Sequence, residues 1–110
     1  MQPRMGFTIH DLEKRVRERS KASADVSYTR KLLDRGVGQC AKKLGEEAME
    51  AVIAAVHEDD KRLIAEAADL LYHLMVVLHA RGISLADVEA ALAERARQSG
   101  LDEKASRKGG

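Results

Sequence analysis

Aromatic residues are nearly missing from this chain. Phe7, Tyr28 and Tyr72 are the whole set, and there is no tryptophan. That excludes the stacked aromatic platforms that hold single-stranded nucleic acid. One proline, Pro3, leaves no helix breaker in the body of the chain, so long helices are allowed and glycines do the punctuation. Cys40 is the sole cysteine, which excludes an intrachain disulfide, and no Cys/His array has zinc spacing. Its environment is expected to be half-buried and inert. No run of about 20 apolar residues exists, so no segment reads as a membrane span. The N-terminus also lacks an apolar stretch of secretory length, and a cytoplasmic location is the expectation. Net charge is only +1, too little for a general binder of polyanions. Neither nucleic acid nor a membrane is expected as a partner.

What remains is a chain with 45% hydrophobic and 34% charged residues, a globular composition. Its 110 residues fit one domain, with an ordered core over about 8–98 and a frayed tail over 99–110. The core must be built from Leu, Ile, Val, Ala and Met, which suits an all-α bundle of about five antiparallel helices. Thr8 followed by Asp11 reads as a helix start, with Ile9, Leu12 and Val16 as the apolar stripe of a helix over 8–20. Residues 20–26 read as a loop. Ser27 is the expected N-cap of a short helix ending at Asp34, and Gly36 stops it or bends it into the next helix. A third helix is expected over Val37–Glu58, a fourth over Asp60–Ala80, and a fifth from Ser84 and Asp87 to about Gln98. From Leu70 to Leu78 the fourth helix is apolar nearly all round. Such a helix must be covered on every side, and five helices of one short chain can hardly do that. The pattern predicts a homodimer or larger homo-oligomer.

Two acidic motifs interrupt these apolar helices: Glu46-Glu47-Ala48-Met49-Glu50 and Glu66-Ala67-Ala68-Asp69. Positions three and four apart share a helix face, so Glu47 and Glu46 each neighbour Glu50, and Glu66 neighbours Asp69. Glu66 lies on the same side as Leu63, Leu70 and Val77 and should sit nearest the core. A short turn joins the two helices, so their acids can face one another. Two carboxylates about 4 Å apart repel by about 4 kcal/mol at an effective dielectric near 20, while a small domain has only about 5–15 kcal/mol of stability in all. The acids are therefore solvated and apart, or partly protonated, or gathered by a cation. With oxygen donors and no Cys or paired His, that cation would be Mg²⁺, with Mn²⁺ as a substitute. A solvated surface face paired with Lys and Arg is the plainer reading of either motif taken alone. His73, seven beyond Glu66, reads as a core or supporting histidine. Gly45 reads either as a close helix contact or as room for a ligand. Arg30 and Lys43 belong either to a solvated basic face or to a phosphate-binding one.

With the acids placed, a resemblance emerges. The pattern Glu46-Glu47-x-x-Glu50 followed by Glu66-x-x-Asp69 is similar to the paired motif of the MazG-like all-α nucleotide pyrophosphohydrolases. Ser27-Tyr28-Thr29-Arg30-Lys31-Leu32-Leu33, Lys42-Lys43-Leu44-Gly45, Ala67-Ala68-Asp69-Leu70-Leu71-Tyr72-His73-Leu74 and Arg81-Gly82-Ile83-Ser84-Leu85 resemble, more narrowly, the phosphoribosyl-ATP pyrophosphohydrolases of histidine biosynthesis. The resemblance spans about residues 8–96. It implies Mg²⁺-dependent hydrolysis of phosphoribosyl-ATP to phosphoribosyl-AMP and pyrophosphate, a small-molecule nucleotide being the substrate. It implies metal ligation by Glu47, Glu50, Glu66 and Asp69, with Glu46 a further ligand or, with Glu47, part of the catalytic pair that activates water. It also implies phosphate contacts from Arg30, Lys31 and Lys43 and substrate positioning by Ser27, Tyr28 and Thr29. A stand-alone form without the fused cyclohydrolase domain of some relatives is the expectation. Rival readings are a house-cleaning nucleoside triphosphate pyrophosphohydrolase and a non-enzymatic helical dimerisation module.

Overall fold

Four of the five helices begin where the chain offers a side chain to their unpaired backbone N–H groups. The structure, a computed structural model, describes the backbone of residues 6–109 and the side chains of residues 6–100. Among the described residues it is all-helical: α1 (Ile9–Arg19), α2 (Tyr28–Asp34), α3 (Val37–His57), α4 (Asp60–Ala80) and α5 (Leu85–Gly109). Thr8 and Asp11 close a reciprocal capping box on α1. Ser84 and Asp87 exchange the same pair of bonds at the start of α5. Ser27 Oγ accepts from the Arg30 N–H to cap α2, and the Asp59 carboxylate accepts from the Arg62 N–H to cap α4.

The α3 N-cap is Gly36, with φ at +90°. A side chain there would be strained, so α2 can turn directly into α3 only through glycine. Gly82, at φ +69°, plays the corresponding part after α4.

The two long helices α3 and α4 fold back on one another across the turn at Glu58 and Asp59, and this hairpin is the main packing unit. Short helix α2 and helix α1 pack on its outer end. Val16 of α1, Leu32 of α2, Cys40 of α3, Met75 and Val76 of α4 and Leu85 of α5 form one buried cluster. Cys40 is more deeply enclosed than its sequence suggests, with Sγ donating to the Leu32 carbonyl. Burial pushes its thiol pKa up, which keeps it a neutral filler.

Among the described residues, helix α5 is anchored near its start. Leu85 is buried and its N–H donates to Glu13 Oε2 at 2.6 Å, while His10 Nε2 lies 2.9 Å from Glu89 Oε2. From Glu89 to Gly100 its residues are exposed. The backbone also stays helical to Gly109, past the end expected at Gln98. The Ser-Gly pair at 99–100 is too weak a breaker to stop it; Gly110 lies outside the described residues.

Met49, Val52, Ile53 and Val56 on α3, and Ile64 and Leu71 on α4, are all exposed. The molecule is elongated, 60 × 41 × 33 Å, with a radius of gyration of 17.6 Å. A compact chain of about 100 residues would have about 13 Å.

Candidate active site

The α3/α4 hairpin brings the acids of the two motifs together. One carboxylate oxygen each from Glu47, Glu66 and Asp69 lie within 4.8 Å of one another. Glu66 is 5% exposed, Glu47 is half-buried and Asp69 is open to solvent. The cluster is thus closed on the core side and accessible on the other. Glu66 reaches this depth because its helix face also carries the apolar residues that seal α4 against α3. Its neighbours three and four positions away set the rest of the face.

This donor set suits a divalent cation. The three groups are hard oxygen donors with no soft ligand among them, the chemistry that Mg²⁺ and Mn²⁺ prefer. Metal–oxygen bonds of about 2.1 Å put opposite ligands about 4.2 Å apart, so small rotations of these side chains would close the set.

Two basic side chains offset the negative charge. Lys43 Nζ lies 3.5 Å from Glu47 Oε1 and 3.7 Å from Glu46 Oε1. Arg62 Nη2 lies 2.9 Å from Glu66 Oε1. Lys43 sits four residues before Glu47 and three before Glu46, and Arg62 four before Glu66, each about one turn back on the same helix. The Lys43 ammonium is held above its usual pKa, first by its electrostatic interaction with the Tyr28 phenol. Partial desolvation opposes this, and Glu47 and Glu46 reinforce it.

An aromatic group adjoins the cluster. His73 Nδ1 is 2.7 Å from the backbone carbonyl of Asp69. A carbonyl only accepts, so Nδ1 carries the proton, and in the neutral ring Nε2 is left to accept from the Tyr28 hydroxyl at 3.4 Å. Tyr28 also stacks on Tyr72, with ring centroids 6.2 Å apart, and His73 meets Tyr72 edge-on. Both tyrosines therefore gather around His73, whose ring is bonded to the backbone of Asp69 in the cluster.

The remaining expected site residues are distributed as follows. Glu50 and Glu46 are exposed, and Glu50 stands outside the three-acid cluster while sharing the helix face of Glu47. Ser27 is buried, its hydroxyl donating to the Arg19 carbonyl while capping α2. Thr29 is buried and hydrogen-bonds the Tyr72 hydroxyl. Arg30 binds the Ser20 carbonyl at 3.0 Å and Asp34 at 2.8 Å. Lys31 is exposed. Gly45 faces open space, since a Cβ there would meet nothing within 4 Å. Close helix packing within the chain is therefore not its reason. Arg62 escaped the sequence reading, although its position four residues before Glu66 was the available signal.

Known proteins with similar sequences share one description. The family described as phosphoribosyl-ATP pyrophosphohydrolase matches residues 9–96. A protein of Bradyrhizobium diazoefficiens named phosphoribosyl-ATP pyrophosphatase 1 is 63% identical over 102 residues, covering 93% of this chain and 96% of the relative. Phosphoribosyl-ATP pyrophosphatases of Nitrobacter hamburgensis and Methylobacterium nodulans are each 57% identical, covering 92% and 93% of this chain and 94% and 95% of theirs.

Proposed function

Because this chain belongs to the phosphoribosyl-ATP pyrophosphohydrolase family, we propose that it hydrolyses phosphoribosyl-ATP to phosphoribosyl-AMP and pyrophosphate, the second step of histidine biosynthesis. The observation that carries this reading is the convergence of Glu47, Glu66 and Asp69 on one point at the edge of the core. Water's oxygen joins phosphorus, the bond between the α and β phosphates breaks, and the leaving oxygen departs with pyrophosphate. Such a reaction needs charge neutralised and a water oriented, and little covalent chemistry from the protein.

Glu47, Glu66 and Asp69 would hold the metal, and Glu50 would join them by rotating toward Glu47, with which it shares a face. Mg²⁺ is the ion proposed, with Mn²⁺ as a substitute. When bound, it supplies neutralisation of the triphosphate and polarisation of the phosphorus under attack. Glu46, which is exposed and pairs with Lys43, would take the proton from water, a role for which Glu47 is the other candidate. Lys43 would turn from the acids to a substrate phosphate. Arg30 and Lys31 lie on the same short helix as Tyr28 and would add phosphate contacts at its outer side. Tyr28 would orient the nucleotide, with Ser27 and Thr29 acting through it by fixing the helix that carries it.

We assign the chain as one domain acting in the cytoplasm as a homodimer. The exposed apolar side chains of α3 and α4 support the second copy. Helix α4 is long and apolar enough to cross a bilayer by length and mean hydropathy alone. Its Glu66 and Asp69 turned toward Glu47 instead support a packed central helix.

The test is pyrophosphate release from phosphoribosyl-ATP with and without a chelator. Release should require Mg²⁺ or Mn²⁺, and should exceed that from common nucleoside triphosphates. Faster hydrolysis of those triphosphates would replace this reading with the house-cleaning one.

A further inference from the structure

We propose that Arg62 is a second phosphate-binding residue, one that yields Glu66 to the divalent ion and then holds the pyrophosphate half of the substrate. The inference rests on the reading above. Glu66 and Arg62 are unequal partners. The Glu66 side chain is 7% exposed and fixed by its packing, whereas the Arg62 side chain is 54% exposed and reaches the acid from solvent. A guanidinium has five N–H donors. Arg62 places Nη2 on Glu66 at 2.9 Å, while its Nε is 3.9 Å from Glu58, beyond hydrogen-bond distance. When the carboxylate turns to a metal, the guanidinium is the group able to move.

The hairpin says where it would go. Lys43 and Arg62 each stand one turn before their acid, but α3 and α4 run in opposite directions. The two cations therefore bracket the carboxylates from opposite ends of the hairpin. The Lys43 end also carries Tyr28, Tyr72 and His73, the aromatic side chains that suit a nucleoside. The Arg62 end, next to the Glu58-Asp59 turn, carries the exposed His57 but no tyrosine, and suits the β and γ phosphates that leave together. A planar fork is the better donor for a phosphate chain.

Titration calorimetry of the full-length protein tests both halves. With Mn²⁺ alone, Arg62→Gln should bind the ion about tenfold more tightly than wild type, because a competing cation is gone. Lys61→Gln removes the same charge one residue away, on the next face of the helix, and should change Mn²⁺ affinity far less. With Mg²⁺ at saturation, Arg62→Gln should weaken pyrophosphate binding about tenfold and leave phosphoribosyl-AMP binding within about twofold. Unchanged or weaker Mn²⁺ binding in Arg62→Gln, or equal tightening in Lys61→Gln, would overturn the exchange. No pyrophosphate binding to wild type, or equal loss of both products, would overturn the phosphate assignment. Failure of the wild type to hydrolyse phosphoribosyl-ATP would instead sink the proposed function, and the Mn²⁺ comparison would still stand by itself.

Discussion

Glu66 shows how one residue links core to chemistry. It is buried on an apolar face, where a lone carboxylate would be costly. Its cost is offset by Arg62 and by the proposed metal. Glu66→Gln and Glu47→Gln should each lower turnover at least about a hundredfold, the scale of lost transition-state charge stabilisation, with far-UV circular dichroism unchanged. Glu50→Gln should do the same if its side chain rotates into the set. Full turnover in that variant would remove Glu50 from the ligands and leave Glu47, Glu66 and Asp69.

Tyr72 allows a pH prediction at the same scale. Burial raises its phenol pKa, and the bond with Thr29 opposes the rise only in part. The folded state then holds this proton more tightly than the unfolded chain. Its contribution to stability is complete below the ordinary value near 10 and is lost as pH rises through the higher folded value. Urea unfolding at about pH 8 and about pH 11 should reveal the loss, and Tyr72→Phe should shrink the difference between the two pH values.

At the scale of elements, helix starts are where sequence and structure agree best. Thr8, Ser27 and Ser84 were readable as caps because each needs only a side-chain oxygen three residues from the N–H it receives. Ser27 carries more than a cap, since its hydroxyl also reaches the Arg19 carbonyl across the loop. That second bond joins residues eight apart and has no signature in spacing. Ser27→Ala should therefore cost about 1–2 kcal/mol. Thermal unfolding should show a Tm lowered by about 5–10 °C. The end of α5 was not readable in the same way. A helix stops where a breaker, a cap or a lost packing face ends it, and residues 99–109 offer no strong breaker.

At the scale of the whole molecule, one chain leaves its surface unfinished. The exposed apolar side chains on both hairpin helices, and an arm whose described residues are anchored near its start, fit a protein completed by a second copy. Light scattering should report a mass about twice the 12.1 kDa chain. Ile53→Glu, placing a charge on the exposed face of α3, should shift that mass toward the monomer and lower Tm. A dimer unaffected by that change would place the interface elsewhere.

The sequence by itself determined the helices, their caps and the two acidic motifs, because those depend on residues within one or two turns of each other. It also marked Glu66 as the acid nearest the core, since helical periodicity alone puts it among leucines and valine. Only the tertiary structure decided which carboxylates meet. The crossing of α3 and α4 joins Glu47 to Glu66 and Asp69, leaves Glu50 outside, and sets Lys43 and Arg62 at opposite ends. It also turned Ser27 and Thr29 inward as supports and joined His73 to Tyr28, forty-five residues apart in the chain. Those outcomes depend on helix register and side-chain rotation across a packed interface, which no local pattern encodes.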